Sequence, residues 1–140
     1  AIISADDNGS VSEHTFTEDE FFFKGHFPEY PVVPGVILVE TMAQAGGAAL
    51  SYQKTFEEGS LFFLATVDSV KFRNQVRPND KVRMEITNLR VSPKMVKQSG
   101  KAYVGETLCA EATWMCLIGN AWHYLLSTPQ VTEGYDWMCK

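Results

Sequence analysis

Cysteine is scarce in this chain. Cys109, Cys116 and Cys139 are odd in number and include no Cys-x-x-Cys pair. That argues against a disulfide framework and for reduced thiols in a cytosol-like compartment. No ligand pair among these cysteines, His14 and His123 has zinc-motif spacing, so no metal is expected. Nicotinamide and flavin motifs are missing too, so no cofactor is expected. The longest apolar run, Val36 to Leu50, is short for a membrane span and carries Glu40, Gln44 and two glycines. It reads as a buried helix. The start, Ala1-Ile2-Ile3 followed by acidic residues, shows no basic-then-apolar secretory signal. Internal repeats and low-complexity tracts are absent, and 45% hydrophobic with 21% charged residues excludes disordered and collagen-like classes. A chain of 140 residues suits one domain with a modest core.

What is present is unevenly spread. Residues 1–58 are strongly acidic, with Lys24 and Lys54 their only Lys or Arg. Residues 69–101 reverse this, with Lys71, Arg73, Arg77, Lys81, Arg83, Arg90, Lys94, Lys97 and Lys101 against Asp80 and Glu85. A basic segment on an acidic protein can steer an anionic partner. The same pattern also arises from the solvated faces of strands, and composition does not choose between them.

Asn8-Gly9 signals a turn before a short strand over Val11 to Phe16. Phe27 to Pro34 contains three prolines and must be irregular. From Gly35 to about Tyr52 the pattern is helical and apolar on every side, as for a helix enclosed by other structure. Gly46-Gly47 costs that helix about 1 kcal/mol per residue relative to Ala, and close approach of a neighbouring backbone is the expected return. Leu61 to Phe72 reads as strand, and Val76 to Asp80 as a turn. Lys81 to Val91 alternates, with Val82, Met84, Ile86 and Leu89 on one side. Val96 to Val104 and Thr107 to Ile118 follow, joined through a hairpin at Gly105-Glu106. The helix and the strands are each roughly 30 Å long. An α+β fold follows, a curved antiparallel sheet wrapped about one long helix.

Two ionisable groups stand among apolar neighbours. His26 sits in Phe22-Phe23-Lys24-Gly25-His26-Phe27-Pro28, and Glu40 lies within the helix, where Val39, Thr41 and Ala43 leave it no polar face. A His and a carboxyl in a dry place can be tuned to exchange protons near neutral pH. The bland reading makes His26 a hydrogen-bonded core residue and Glu40 a solvated one. Gln44, one turn after Glu40, is placed either to hydrogen-bond to it or to support packing. Phe21 to Phe23, Phe62, Phe63 and Met84 are core residues by default, with an acyl tunnel as the alternative use.

The run Phe22-Phe23-Lys24-Gly25-His26-Phe27-Pro28-x-x-Pro31-Val32-Val33-Pro34-Gly35-Val36-x-x-x-Glu40-x-Met42-Ala43-Gln44 resembles the signature of (3R)-hydroxyacyl-acyl-carrier-protein dehydratases of type II fatty-acid synthesis, in their FabZ form. Leu64 to Asp80 looks like that family's second block, and the resemblance covers roughly residues 10 to 118. It implies a hot-dog fold over residues 1–119, with 120–140 a C-terminal tail that matches nothing familiar. The family's usual opening segment, with a Pro-His-Arg-x-Pro-Phe-Leu-like run, is missing here. A homodimer building two sites at its interface is implied, often as three dimers in a hexamer, in the cytoplasm.

The resemblance also implies roles. His26 and Glu40 would be the catalytic pair, and Gly35, Val36 and Gln44 would bind substrate, the Gly35 N–H holding the thioester oxygen. Lys71, Arg73 and Arg77 would receive acyl carrier protein, whose phosphopantetheine carries the substrate; nothing further is required as cofactor. Three other readings stand beside this one: a dehydratase/isomerase, an acyl thioesterase, or a non-catalytic acyl-binding subunit. Isomerase relatives usually carry Asp where Glu40 stands, which argues against that branch.

Overall fold

The computed structural model of the chain describes residues 1–20, Phe23, 31–53, Phe56 and 60–120, with backbone alone at Asn120. Two short strands come first, β1 (Ile2–Asp6) and β2 (Gly9–Thr15). Then come a helix of 18 residues, α1 (Gly35–Tyr52), and β3 (Ser60–Phe72), β4 (Lys81–Val91), β5 (Met95–Val104) and β6 (Thr107–Asn120). The strands form one sheet in the order β1-β2-β4-β5-β6-β3, every neighbouring pair antiparallel. The helix lies on its inner face, and this is the expected hot-dog arrangement.

The core follows from the two periodicities. Leu38, Val39, Met42 and Ala43 face the sheet from α1. Val82, Met84 and Ile86 on β4, Ala102 on β5, and Ala110, Ala112, Trp114 and Cys116 on β6 meet them at every second position. Each large apolar side chain buried in this way stabilises the fold by about 1.5–3 kcal/mol. The hairpin at Gly105-Glu106 forms as expected, with Gly105 at φ 60, a backbone region that glycine enters without penalty.

Four features depart from the sequence expectations. β1 was not foreseen, because Ile2–Asp6 does not alternate; it is held by pairing with β2 and by Asp6 Oδ1, which accepts the Asn8 and Gly9 N–H groups at 2.8 and 3.0 Å. Leu89 is exposed rather than inward, because it lies three residues after Ile86 and strand alternation puts it on the outer side with Glu85 and Thr87. At Gly46 and Gly47 the close neighbours are side chains, Gln98 and Phe62 respectively, and not backbone. Within one chain α1 is not enclosed all round. Val36, Glu40, Gln44 and Ala48, spaced four apart, form a stripe that is open or only partly covered.

Candidate active site

The start of α1 is set by Pro34, whose φ of −58 and ψ of 140 end the extended approach. Its carbonyl accepts the Ile37 and Leu38 N–H groups at 3.0 and 3.3 Å. No side chain caps this end, and the Gly35 and Val36 N–H groups meet no acceptor among the described residues. Such helix-end donors favour a partner that carries negative charge. The Val33 N–H donates to the Val76 carbonyl at 2.7 Å and ties this approach to the segment after β3. That segment is pinned in turn, because Arg73 and Asn74 N–H groups donate to the Cys109 carbonyl at 2.7 and 3.2 Å.

Between the helix start and this segment lies a cleft of about 620 Å³. Val32 to Val36 form one wall and Phe72 to Val76 the other. It is mainly apolar, with Arg73, Asn74 and Gln75 on one side.

Glu40 shares the open stripe of α1 with Val36, a little more than one turn further on than Gly35. At 1.5 Å per residue it stands about 7.5 Å along the axis from Gly35. It is half-buried, and burial holds its carboxyl above the usual carboxylate range. A carboxyl so placed is biased toward its protonated, proton-donating form. Gln44 Nε2 is buried without a hydrogen-bond partner among the described residues, and no hydrogen bond joins it to Glu40. Gln44 therefore presents an unspent donor on the same stripe.

The other candidates fall into two groups. His26 lies outside the described residues, as do Phe21, Phe22, His123 and Cys139. Lys71 is exposed on β3 opposite Glu111, and Arg73 borders the cleft with its Nε 3.4 Å from that carboxylate. Arg77 lies on the turn beyond, where its guanidinium donates to Gln75 Oε1 at 3.2 Å and its N–H to Asp80 Oδ2 at 2.9 Å. Phe23 and Met84 belong to the core, and Phe62 packs against it. Cys109 and Cys116 are buried thiols, the second pushed up to about 11 by burial. His14 is surface-exposed on β2 beside Phe16. Among the described residues no three His, Cys, Asp or Glu side chains cluster to hold a metal.

Sequence reasoning did not single out Phe72, whose ring lies against Gly35 at the cleft wall. Its place at the end of a β-rich run gave no signal, because the contact joins residues far apart in sequence.

The FabA-like domain family matches residues 2–113. A relative described as 3-hydroxyacyl-[acyl-carrier-protein] dehydratase FabZ, from Koribacter versatilis, is 44% identical over 108 residues, covering 77% of this chain and 69% of that protein. Its counterpart from Pelotomaculum thermopropionicum is 40% identical over 115 residues, 81% of each. Among solved structures, the dehydratase heterocomplex ApeI:P from Xenorhabdus doucetiae superposes with a TM-score of 0.75 at 16% identity, covering 91% of this chain and 87% of that one. That last likeness speaks to the fold alone.

Proposed function

The chain belongs to the FabA-like family, on its FabZ dehydratase branch, and from that premise we propose that it removes water from (3R)-3-hydroxyacyl thioesters on acyl carrier protein to give trans-2-enoyl thioesters in fatty-acid biosynthesis. The observation that carries the reading is a half-buried carboxyl, Glu40, on the same helix end as the Gly35 N–H, which meets no acceptor among the described residues.

Three tasks define the reaction, and each has a residue suited to it. The Gly35 N–H, aided by the helix dipole, donates a hydrogen bond to the thioester carbonyl oxygen and stabilises negative charge there. Neutral His26 takes the C2 proton, and the electrons of that bond spread onto the carbonyl. As the C2–C3 double bond forms, the C3–O bond breaks and Glu40 gives its proton to the departing hydroxyl, which leaves as water. Transfer of the proton on His26 back to Glu40, directly or through water, restores the starting state. Gln44 Nε2, without a partner among the described residues, would orient the leaving hydroxyl or the water.

The assembly extends this reading. Val36 is 72% exposed on the helix stripe, and edge strand β3 leaves Leu64, Val67 and Val70 exposed. A second copy covering these surfaces would exclude water from the site, so the active unit is a homodimer. Lys71, Arg73 and Arg77 form the receiving side for the acidic carrier protein, Arg73 at the cleft itself. Among the described residues no helix is long and apolar enough to cross a membrane.

Incubating the chain with a 3-hydroxybutyryl thioester tests the proposal. The expected result is new enoyl absorbance with the thioester intact and no double-bond shift. Release of free thiol would identify a thioesterase instead, and acyl binding without turnover a non-catalytic subunit.

A further inference from the structure

We propose that Phe72 is a specificity-determining residue of this site, its ring setting the width of the slot through which the thioester reaches the Gly35 N–H. The inference rests on the dehydratase reading and deepens it.

The contact is close. A Cβ built on Gly35 would lie 2.6, 2.7 and 2.9 Å from three atoms of the Phe72 ring. The ring therefore occupies the place that any other side chain at position 35 would need, which gives a structural reason for glycine there. Phe72 is 55% exposed and so is not filling the core. It forms the cleft wall facing Gly35 and Val36.

The backbone supplies a second, independent argument. Along β3, Asp68 pairs with Thr113 and Lys71 with Glu111, so two residues of β3 stand opposite the single residue Ala112. This bulge contains Ser69 at φ 54, a conformation that a non-glycine residue adopts at a cost of about 1–2 kcal/mol. Its effect is a change of face. Without the extra residue Phe72 would share the outward side of Asp68; with it, Phe72 pairs with buried Ala110 and turns toward the helix. Local strain at Ser69 thus accompanies the aiming of an aromatic ring at the helix N-terminus.

The chemistry follows from the distances. An oxygen accepting from the Gly35 N–H at about 2.9 Å puts the carbonyl carbon about 4 Å from that nitrogen. The ring packs on the neighbouring Cα, so the acyl carbon next to the carbonyl must pass beside it. A substituent on that carbon competes with the ring for space, and the slot admits an unbranched C2 in preference to a branched one.

The test compares 3-hydroxybutyryl with 2-methyl-3-hydroxybutyryl thioesters in wild type, Phe72→Leu and Phe72→Ala, with melting temperatures as the check on folding. One methyl in an apolar pocket is worth about 10–200-fold in kcat/KM. Phe72→Ala should shift the ratio of kcat/KM toward the branched substrate by about tenfold or more, with Phe72→Leu between it and wild type. A purely structural role would lower both activities together. A ratio unchanged within about twofold overturns the role of Phe72; should Phe72→Ala fail to fold, Phe72→Leu decides by the direction of its shift. If wild type turns over neither substrate, it is the dehydratase reading that fails.

Discussion

Replacing Gly46 with alanine sets two opposing effects against each other, and their sizes can be worked out. In a helix interior the change alone stabilises by about 1 kcal/mol. Here the new methyl would overlap the Gln98 amide oxygen and lie 2.8 and 2.9 Å from Gln98 Cδ and Nε2. Gln98 is 1% exposed and has no free space into which to retreat. Its Nε2 donates to Asn88 Oδ1 at 2.8 Å, and its Oε1 accepts the Trp114 Nε1–H at 3.2 Å. Displacing it loses two hydrogen bonds at about 1 kcal/mol each and strands a buried indole N–H at about 1–3 kcal/mol. Set against the helix gain, Gly46→Ala should destabilise by about 2–4 kcal/mol. In urea denaturation the midpoint should fall while the slope stays constant. Gly47→Ala is the control, because its new methyl would sit 3.1–3.5 Å from the Phe62 ring, a contact that a small ring shift relieves. An unchanged or raised midpoint for Gly46→Ala would refute the claim that Gln98 fixes how closely α1 lies on the sheet.

Other outcomes follow from the same structure. Burial raises the Glu40 pKa from its ordinary 4.5, so the folded state binds more protons than the unfolded one between those two values, and stability falls as pH rises through that window. Glu40→Gln should therefore melt higher than wild type at pH 7 with the difference shrinking at pH 4; a wild type more stable than the variant at pH 7 would contradict this. The exposed Lys71, and Arg73 at the cleft, predict that salt raises KM for carrier-bound substrate severalfold while leaving a small pantetheine thioester within about twofold. Equal salt effects on both substrates would remove these residues from carrier docking.

How much was legible in the sequence depends on how local the cause is. The bounds of α1 could be read because Pro34 fixes its start, and β4 because Val82, Met84 and Ile86 alternate inward. Register shifts could not be read. The one at Ser69 turns Phe72 inward, and it depends on the partner strand rather than on the residues themselves. The glycines of α1 were recognised as sites of close approach, but that Gln98 and Phe62 make the approach is a fact of packing across the sheet. At the site, the apolar setting of Glu40 anticipated its raised pKa. The hydrogen bond from Gln44 to Glu40 was a matter of side-chain orientation, and it does not form.

The central claim is that His26 and Glu40 are the proton-transfer pair of a hydro-lyase. Hydration of a crotonyl thioester, the reverse of the proposed reaction, can be followed as loss of enoyl absorbance with wild type, His26→Ala and Glu40→Gln side by side. Wild type should consume the enoyl thioester, and each variant should lose about 10²–10⁴-fold in rate while staying folded. Near-normal turnover by folded His26→Ala would contradict the claim outright.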